Sequence, residues 1–240
     1  MRAMIFAAGL GTRLKPITDT KPKALVEVKN TPLLEIAINK LKNSGFDEII
    51  VNVHHFADMI IEFLKSKNNF GIRIEISDER DLLLDTGGGL KKASWFFDDD
   101  KPFLVYNVDI LSDIDLQKMY SFHQLLNSIV TLAVRNRSTQ RYLLVDDDNL
   151  ICGWQNTKTG EVKKARETTS SLHQLAYSGI QIVDPRILSL MPEEKVFSII
   201  NFYLSIASKE KITAFKHDET YWLDLGKVES LEKAEKLLIN

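Results

Sequence analysis

The residues best suited to chemistry are cations near the start of the chain and a carboxylate far from them in sequence. Arg13, Lys15, Lys21 and Lys23 fall within eleven residues, with Asp19 as the only opposing charge between them. They follow Gly9-Leu-Gly11-Thr12, where two glycines let the backbone approach a ligand closely with its N–H groups exposed. A glycine turn followed by spaced cations suits a polyphosphate, although a surface turn with scattered lysines would share the pattern. Asp109 ends the apolar run Phe103-Leu-Val-Tyr-Asn107-Val. A carboxylate at the C-terminal end of a buried strand stands where ligands bind in open α/β sheets.

The elements that must position these residues alternate. Ala3 to Ala7 is long enough for one buried strand. Thr31-Pro32 reads as a helix opening, with Leu34, Ala37, Ile38 and Leu41 on one face and Gly45 as the stop. Glu48–Val53 is an apolar strand, Ala57–Lys65 a helix, and Ile72–Ile76 a strand with one solvated face. Asp113 and Asp115 read as caps of a helix reaching about Leu126, and Ile129–Val134 as the strand after it. Strand and helix alternating at short intervals predict right-handed βαβ units and a mainly parallel sheet. Beyond residue 135 the texture changes. Tyr142–Val145 and Leu150–Trp154 flank Asp146-Asp-Asp-Asn149 as a hairpin, Thr157–Ser171 reads as a polar loop, and Ala176–Val183 as a strand. Val196–Ser208 and Val228–Leu238 read as helices.

The expected fold is α/β, a Rossmann-like three-layer sandwich with a mainly parallel mixed sheet and a smaller β-rich insertion. It is read as a single domain over residues 1–240, divided into halves 1–135 and 136–240. A dinucleotide-binding reading fails at its third glycine, which is Leu14 here, and Pro16 and Pro22 interrupt the helix it would need. A P-loop string is absent. The −2 net charge argues against nucleic acid or an anionic membrane as partner. The single cysteine, Cys152, rules out an internal disulfide and a multi-cysteine metal site. With no apolar run near the roughly 18–20 residues of a membrane span, a soluble cytoplasmic protein is expected. His54 and His55 leave a strand in opposite directions and read as structural. Core and interface helices share one pattern, so no oligomeric state is assigned.

Ala7-Ala8-Gly9-Leu-Gly11-Thr12-Arg13-Leu14, then Pro22-Lys23-Ala24-Leu25, resembles the signature of the sugar-1-phosphate nucleotidyltransferases, and the likeness extends from Ala3 to about Leu231. The family usually has proline at Ala24 and glycine at Val108. Thr220-Tyr-Trp-Leu-Asp224-Leu-Gly226-Lys227 resembles its closing Trp-x-Asp motif, with Lys227 in place of threonine. Asp224 alone would read as a turn residue.

The resemblance implies transfer of a nucleotidyl group from a nucleoside triphosphate to a sugar 1-phosphate, with pyrophosphate released. It implies catalytic roles for Arg13 on the β- and γ-phosphates and for Lys23 between the α-phosphate and the incoming phosphate. Ala7, Ala8, Gly9, Gly11, Thr12, Gly87, Gly88 and Asn107 would contact the nucleotide, and Ser178 and Gly179 the acceptor. Asp109 and Asp224 would hold Mg²⁺, which takes oxygen ligands. The string Leu84-Asp85-Thr86-Gly87-Gly88-Gly89 is most similar to members using UTP and N-acetylmuramate 1-phosphate. GTP with mannose or heptose 1-phosphate is the alternative, with Asp85 or Glu79 accepting from the guanine amine. A non-catalytic nucleotide-sugar-binding paralogue is a third reading, although a binder has no need of both carboxylates. The lactyl carboxylate of N-acetylmuramate would want a cation, and Lys158, Lys163, Lys164 and Arg166 lie in the polar segment after the hairpin.

Overall fold

The apolar run at the start forms β1 (Arg2–Phe6) in the computed structural model, which describes residues 1–237. Short ribbons β2 (Glu27–Val28) and β3 (Thr31–Pro32) precede α1 (Leu33–Asn43). Then come β4 (Glu48–Val53), α2 (Ala57–Ser66), β5 (Arg73–Asp78) and α3 (Asp85–Lys92). They are followed by β6 (Phe103–Asn107), β7 (Ile110–Ser112), α4 (Leu116–Leu126) and β8 (Val130–Arg135). Next are β9 (Arg141–Val145), β10 (Ile151–Asn156), β11 (Val162–Lys164) and β12 (His173–Val183). The chain continues through α5 (Ile199–Ile206), β13 (Ile212–Lys216), β14 (Trp222–Asp224) and α6 (Val228–Leu237). This is an α/β fold with a mixed sheet. Among the described residues no helix is long and apolar enough to cross a membrane.

The chain divides into two compact units. The first unit comprises Met1–Leu84, Val105–Ile114 and the segment from Tyr221 onward; the second comprises Asp85–Leu104 and Asp115–Thr220.

In the first unit the strand order is β6-β1-β4-β5, with β1, β4 and β5 mutually parallel. Ile49, Ile50, Val51 and Val53 are buried, as a strand covered on both faces requires. Helices α1 and α2 turn Leu34, Ala37, Ile38, Leu41, Ile60 and Leu64 inward. Thr31-Pro32 differs from the expected helix opening. It pairs with Glu27 and Val28 as a ribbon, and Pro32 precedes the helix with no side-chain cap.

In the second unit the order is β11-β10-β9-β12-β8-β13. Most of these pairings are antiparallel, and β13 runs parallel to β8. The polar segment after the hairpin is not wholly a loop, because Val162–Lys164 adds β11 to the edge. Strand β12 shifts register between Tyr177 and Gln181, around Gly179. Asp115 caps α4 by accepting from the Lys118 N–H at 2.9 Å. Asp113 does not cap; it accepts from the Tyr221 N–H at 2.8 Å in the first unit. Helix α5 is shorter than the expected Val196–Ser208, and Leu238 of the closing helix lies outside the described residues.

Candidate active site

The first unit separates the four early cations into two pairs with different fates. Lys15 pairs with Asp19 at 2.9 Å and Lys21 with Glu27 at 3.7 Å, both on exposed surface. Arg13 and Lys23 instead turn toward the two acids. Lys23 Nζ donates to Asp109 Oδ2, with both side chains 13% exposed. Arg13 Nη2 lies 3.6 Å from Asp224 Oδ2 in a more open position.

Three local devices hold this arrangement. Gly11 adopts φ +64°, a left-handed conformation that disfavours a side chain, and a Cβ there would come within 2.9 Å of Thr18 and 3.0 Å of Lys23. Thr18 Oγ1 and the Leu14 N–H both donate to the Gly11 carbonyl, at 2.9 and 2.8 Å, closing the turn that carries Arg13. Lys23 opens a 3₁₀ turn, Lys23–Leu25, in which the Leu25 N–H donates to Pro22 O and the Val26 N–H to Lys23 O. Ala24 sits in this turn fully buried, so the turn forms without the family's second proline.

The carboxylates are joined by the β7–β14 ribbon, which places Asp224 opposite Ile110. The Leu225 N–H donates to the Asp109 carbonyl at 2.8 Å, and the buried Tyr106 hydroxyl donates to Ile110 O at 2.9 Å. The Val108 N–H donates to Phe6 O at 3.2 Å, fastening the turn to the end of β1. Gly226 is required by close approach: a Cβ would lie 2.4 Å from Arg13 Nη2 and 2.8 Å from Asp224 Oδ1. Burial pushes the Asp109 carboxyl above its ordinary pKa against the pull of Lys23, and the neighbouring Asp224 charge pushes the same way. For Asp224 burial alone would act upward. The Gly226 N–H, Arg13 and Lys23 outweigh it and hold this carboxyl below its ordinary value.

Asn52, which sequence reasoning missed, shapes the glycine loop, with Glu79 behind it. Asn52, 3% exposed, accepts from the Ala7 and Ala8 N–H groups at 2.7 and 3.3 Å through Oδ1. Its amide donates to Glu79 Oε1 at 2.8 Å, and Glu79 Oε2 accepts from the Leu84 N–H at 3.3 Å. A lone amide in the apolar run Glu48–Val53 was the available signal, since a buried polar group needs partners. Ala7 and Ala8 therefore spend their N–H groups inside the protein. Gly9 and Thr12 are exposed, and a Cβ at Gly9 would meet nothing within 4 Å. Asn107, half-buried, ends β6 two residues before Asp109.

In the second unit the glycine run is not a bare loop before a helix; it lies within α3, with Gly87, Gly88 and Gly89 buried. The Gly87 N–H donates to Phe197 O at 2.9 Å, and a Cβ there would meet the Phe197 ring at 2.3 Å. Packing on Phe197 thus accounts for this glycine. Ser178, fully buried, bonds His217 Nε2 at 2.7 Å, so its hydroxyl faces the interior; Gly179 follows at φ +77°. Of the four later cations, Lys163 lines a cavity, Arg166 donates to Glu210 O at 2.8 Å, and Lys158 and Lys164 are exposed. His54 bonds Glu79 O through Nδ1 at 2.7 Å, a structural contact.

The model of the nucleotidyl transferase family matches residues 2–240. A UTP–glucose-1-phosphate uridylyltransferase of Synechocystis is 30% identical over 95% of this chain, which spans 61% of that relative's length. An N-acetylmuramate α-1-phosphate uridylyltransferase of Neisseria meningitidis is 28% identical over 99% of this chain and 98% of its own. In fold the chain is similar to the crystal structure of HddC from Yersinia pseudotuberculosis complexed with GMP-PN. That likeness has a TM-score of 0.79 and 24% identity, covering 99% of both chains. The chain belongs to the nucleotidyl transferase family.

Proposed function

We propose that this chain joins a nucleoside triphosphate to a sugar 1-phosphate, releasing pyrophosphate, with UTP and N-acetylmuramate 1-phosphate as the favoured pair. The observation that carries the reading is the convergence of Arg13, Lys23, Asp109 and Asp224 in one unit. An oxygen of the sugar phosphate attacks the α-phosphorus, a new P–O bond forms there, and the bond to the β-phosphate bridging oxygen breaks. The nucleophile is already an anion, so no base is needed. The chain's task is to hold two anions in line and to neutralise the leaving pyrophosphate. The Arg13 fork suits two phosphate oxygens at once, and Lys23 supplies a compact charge between the reacting phosphates.

The donor set fits Mg²⁺. Asp109 and Asp224 are brought together by the β7–β14 ribbon and each carboxyl feels the other, and two neighbouring carboxylates favour a shared cation. When bound, the ion would supply positive charge to the phosphate oxygens.

Two observations support UTP and the acceptor. Both Glu79 oxygens are engaged inside the protein, which removes one of the two acceptors weighed for a guanine amine. The Neisseria relative is similar over nearly its whole length and is named for N-acetylmuramate α-1-phosphate.

Pyrophosphate release from four triphosphates against a panel of sugar 1-phosphates tests the proposal. UTP with N-acetylmuramate 1-phosphate is expected to give the highest kcat/KM. A preference for GTP of about tenfold or more would sink the uridylyl reading, and nucleotide-sugar binding without any turnover would favour the non-catalytic paralogue.

A further inference from the structure

The second unit contains a cavity of about 480 Å³ whose lining follows from strand register. Leu143 of β9 pairs with Trp154 of β10 and with Leu175 of β12, and Trp154 pairs with Lys163 of β11. Side chains alternate along a strand, so Arg141, Trp154, Lys163 and Tyr177 share one sheet face. Arg137, just past β8, and Asn201, in the first turn of α5, complete the wall.

The charge of this cavity is one-sided. Arg137, Arg141 and Lys163 line it, and no carboxylate does among the described residues. Arg137 Nη2 donates to Tyr177 O at 2.9 Å, which fixes that guanidinium at the wall. Lys163 Nζ donates to Asn201 Oδ1 at 3.1 Å and lies 5.4 Å from the Trp154 ring centroid. Its ion pair with Glu161, at 3.6 Å, is solvent-exposed and weakens its charge little. The Arg141 guanidinium has no ion pair or side-chain hydrogen bond among the described residues. Cations gathered with only an exposed counter-charge repel one another, and an anion relieves that repulsion. The volume suits a small molecule, the indole offers an apolar face to a sugar ring, and the polar wall can meet hydroxyls.

We propose that this cavity selects an acceptor sugar bearing a carboxylate besides its phosphate, with Arg141 and Lys163 as specificity-determining residues. The inference rests on the reading of the chain as a sugar-1-phosphate nucleotidyltransferase. On that reading the resemblance gives the sugar's phosphate to Lys23, and the cations of this cavity are assigned to a second anionic group. Tyr177 ties the cavity to the acceptor, because it immediately precedes the Ser178-Gly179 segment that the resemblance assigns to the sugar. Of the basic residues after the hairpin, Lys163 alone takes part, and Arg137 and Arg141 come from outside that segment.

The test is calorimetric titration of the wild type, Arg141→Gln and Lys163→Gln. The ligands are unphosphorylated N-acetylmuramate, N-acetylglucosamine (the same ring without the lactyl carboxylate) and inorganic phosphate. Both substituted positions are on accessible surface, and unchanged melting temperatures check the fold. The wild type is expected to bind N-acetylmuramate about tenfold or more tighter than N-acetylglucosamine, and each variant to lose about tenfold of that advantage. Equal binding of the two sugars, no binding of either, or variants that keep the preference overturns the proposal. So does phosphate binding that the variants abolish while the sugars behave alike. Selective binding of N-acetylmuramate by a protein that releases no pyrophosphate would uphold the carboxylate site and refute the transferase reading, so the two failures are distinguishable.

Discussion

Asp109 is held between opposing influences, because burial disfavours its charge while the Lys23 ammonium draws it. Asp109→Asn keeps the shape and removes the charge, leaving the Lys23 ammonium in a mostly buried position without its partner. Turnover is expected to fall by more than about 10²-fold, as for other groups that stabilise developing charge. Pyrophosphate release in saturating Mg²⁺ checks this, with circular dichroism to confirm the fold; near-wild-type turnover would refute the role. At this scale the sequence was partly legible. Arg13, Lys23 and Asp109 stand out by type and place in the chain, whereas Asp224 drew attention only through the family resemblance. That Lys15 and Lys21 would pair locally was not visible, since surface ion pairs depend on turns that composition does not specify. Asn52 escaped notice because its partner is the glycine loop's own backbone, and backbone donors leave no mark in a sequence.

Among the elements, the β7–β14 ribbon and its Gly226 turn set the distance between Arg13 and Asp224. Gly226→Ala would place a methyl against the end of the Arg13 side chain, which is flexible, and against a carboxylate oxygen. The expected result is a fall of about tenfold or more in kcat/KM with a change of only a few degrees in Tm, because the arginine can move aside but loses its aim. A large loss of Tm with normal activity per folded molecule would show that the glycine serves the fold instead. The strands and long helices were legible from periodicity, to within a few residues for β1, β4, α2, α4 and β12. Thr31-Pro32 misled because a threonine before a proline suits a ribbon as well as a helix start. The glycines in α3 misled for a different reason: their small size serves Phe197, a residue far along the chain that no local pattern reveals.

At the scale of the whole molecule, stability should depend on pH through His123, which packs inside the second unit and bonds Thr131 Oγ1 through Nδ1 at 2.9 Å. Burial takes its pKa from the ordinary 6.5 down to about 4. Between these values the unfolded chain holds a proton that the folded chain does not, so stability is full above pH 6.5 and is lost as pH falls toward 4. Thermal melts across that range are expected to show a declining Tm, and His123→Asn a shallower decline whatever its starting Tm. An unchanged slope in the variant would exclude the histidine as the source. The bounds of the two units were not legible, because exits and returns of the chain carry no linker signature. The interleaving also bears on biosynthesis. A ribosome delivers Arg13, Lys23 and Asp109 early, then all of the second unit through Thr220, and only afterwards the strand bearing Asp224. While the polypeptide is still emerging, β7 waits with its edge unpaired and the second carboxylate is not yet made. On the proposed function, the nascent protein therefore lacks one of its two site carboxylates until its second unit has been synthesised in full.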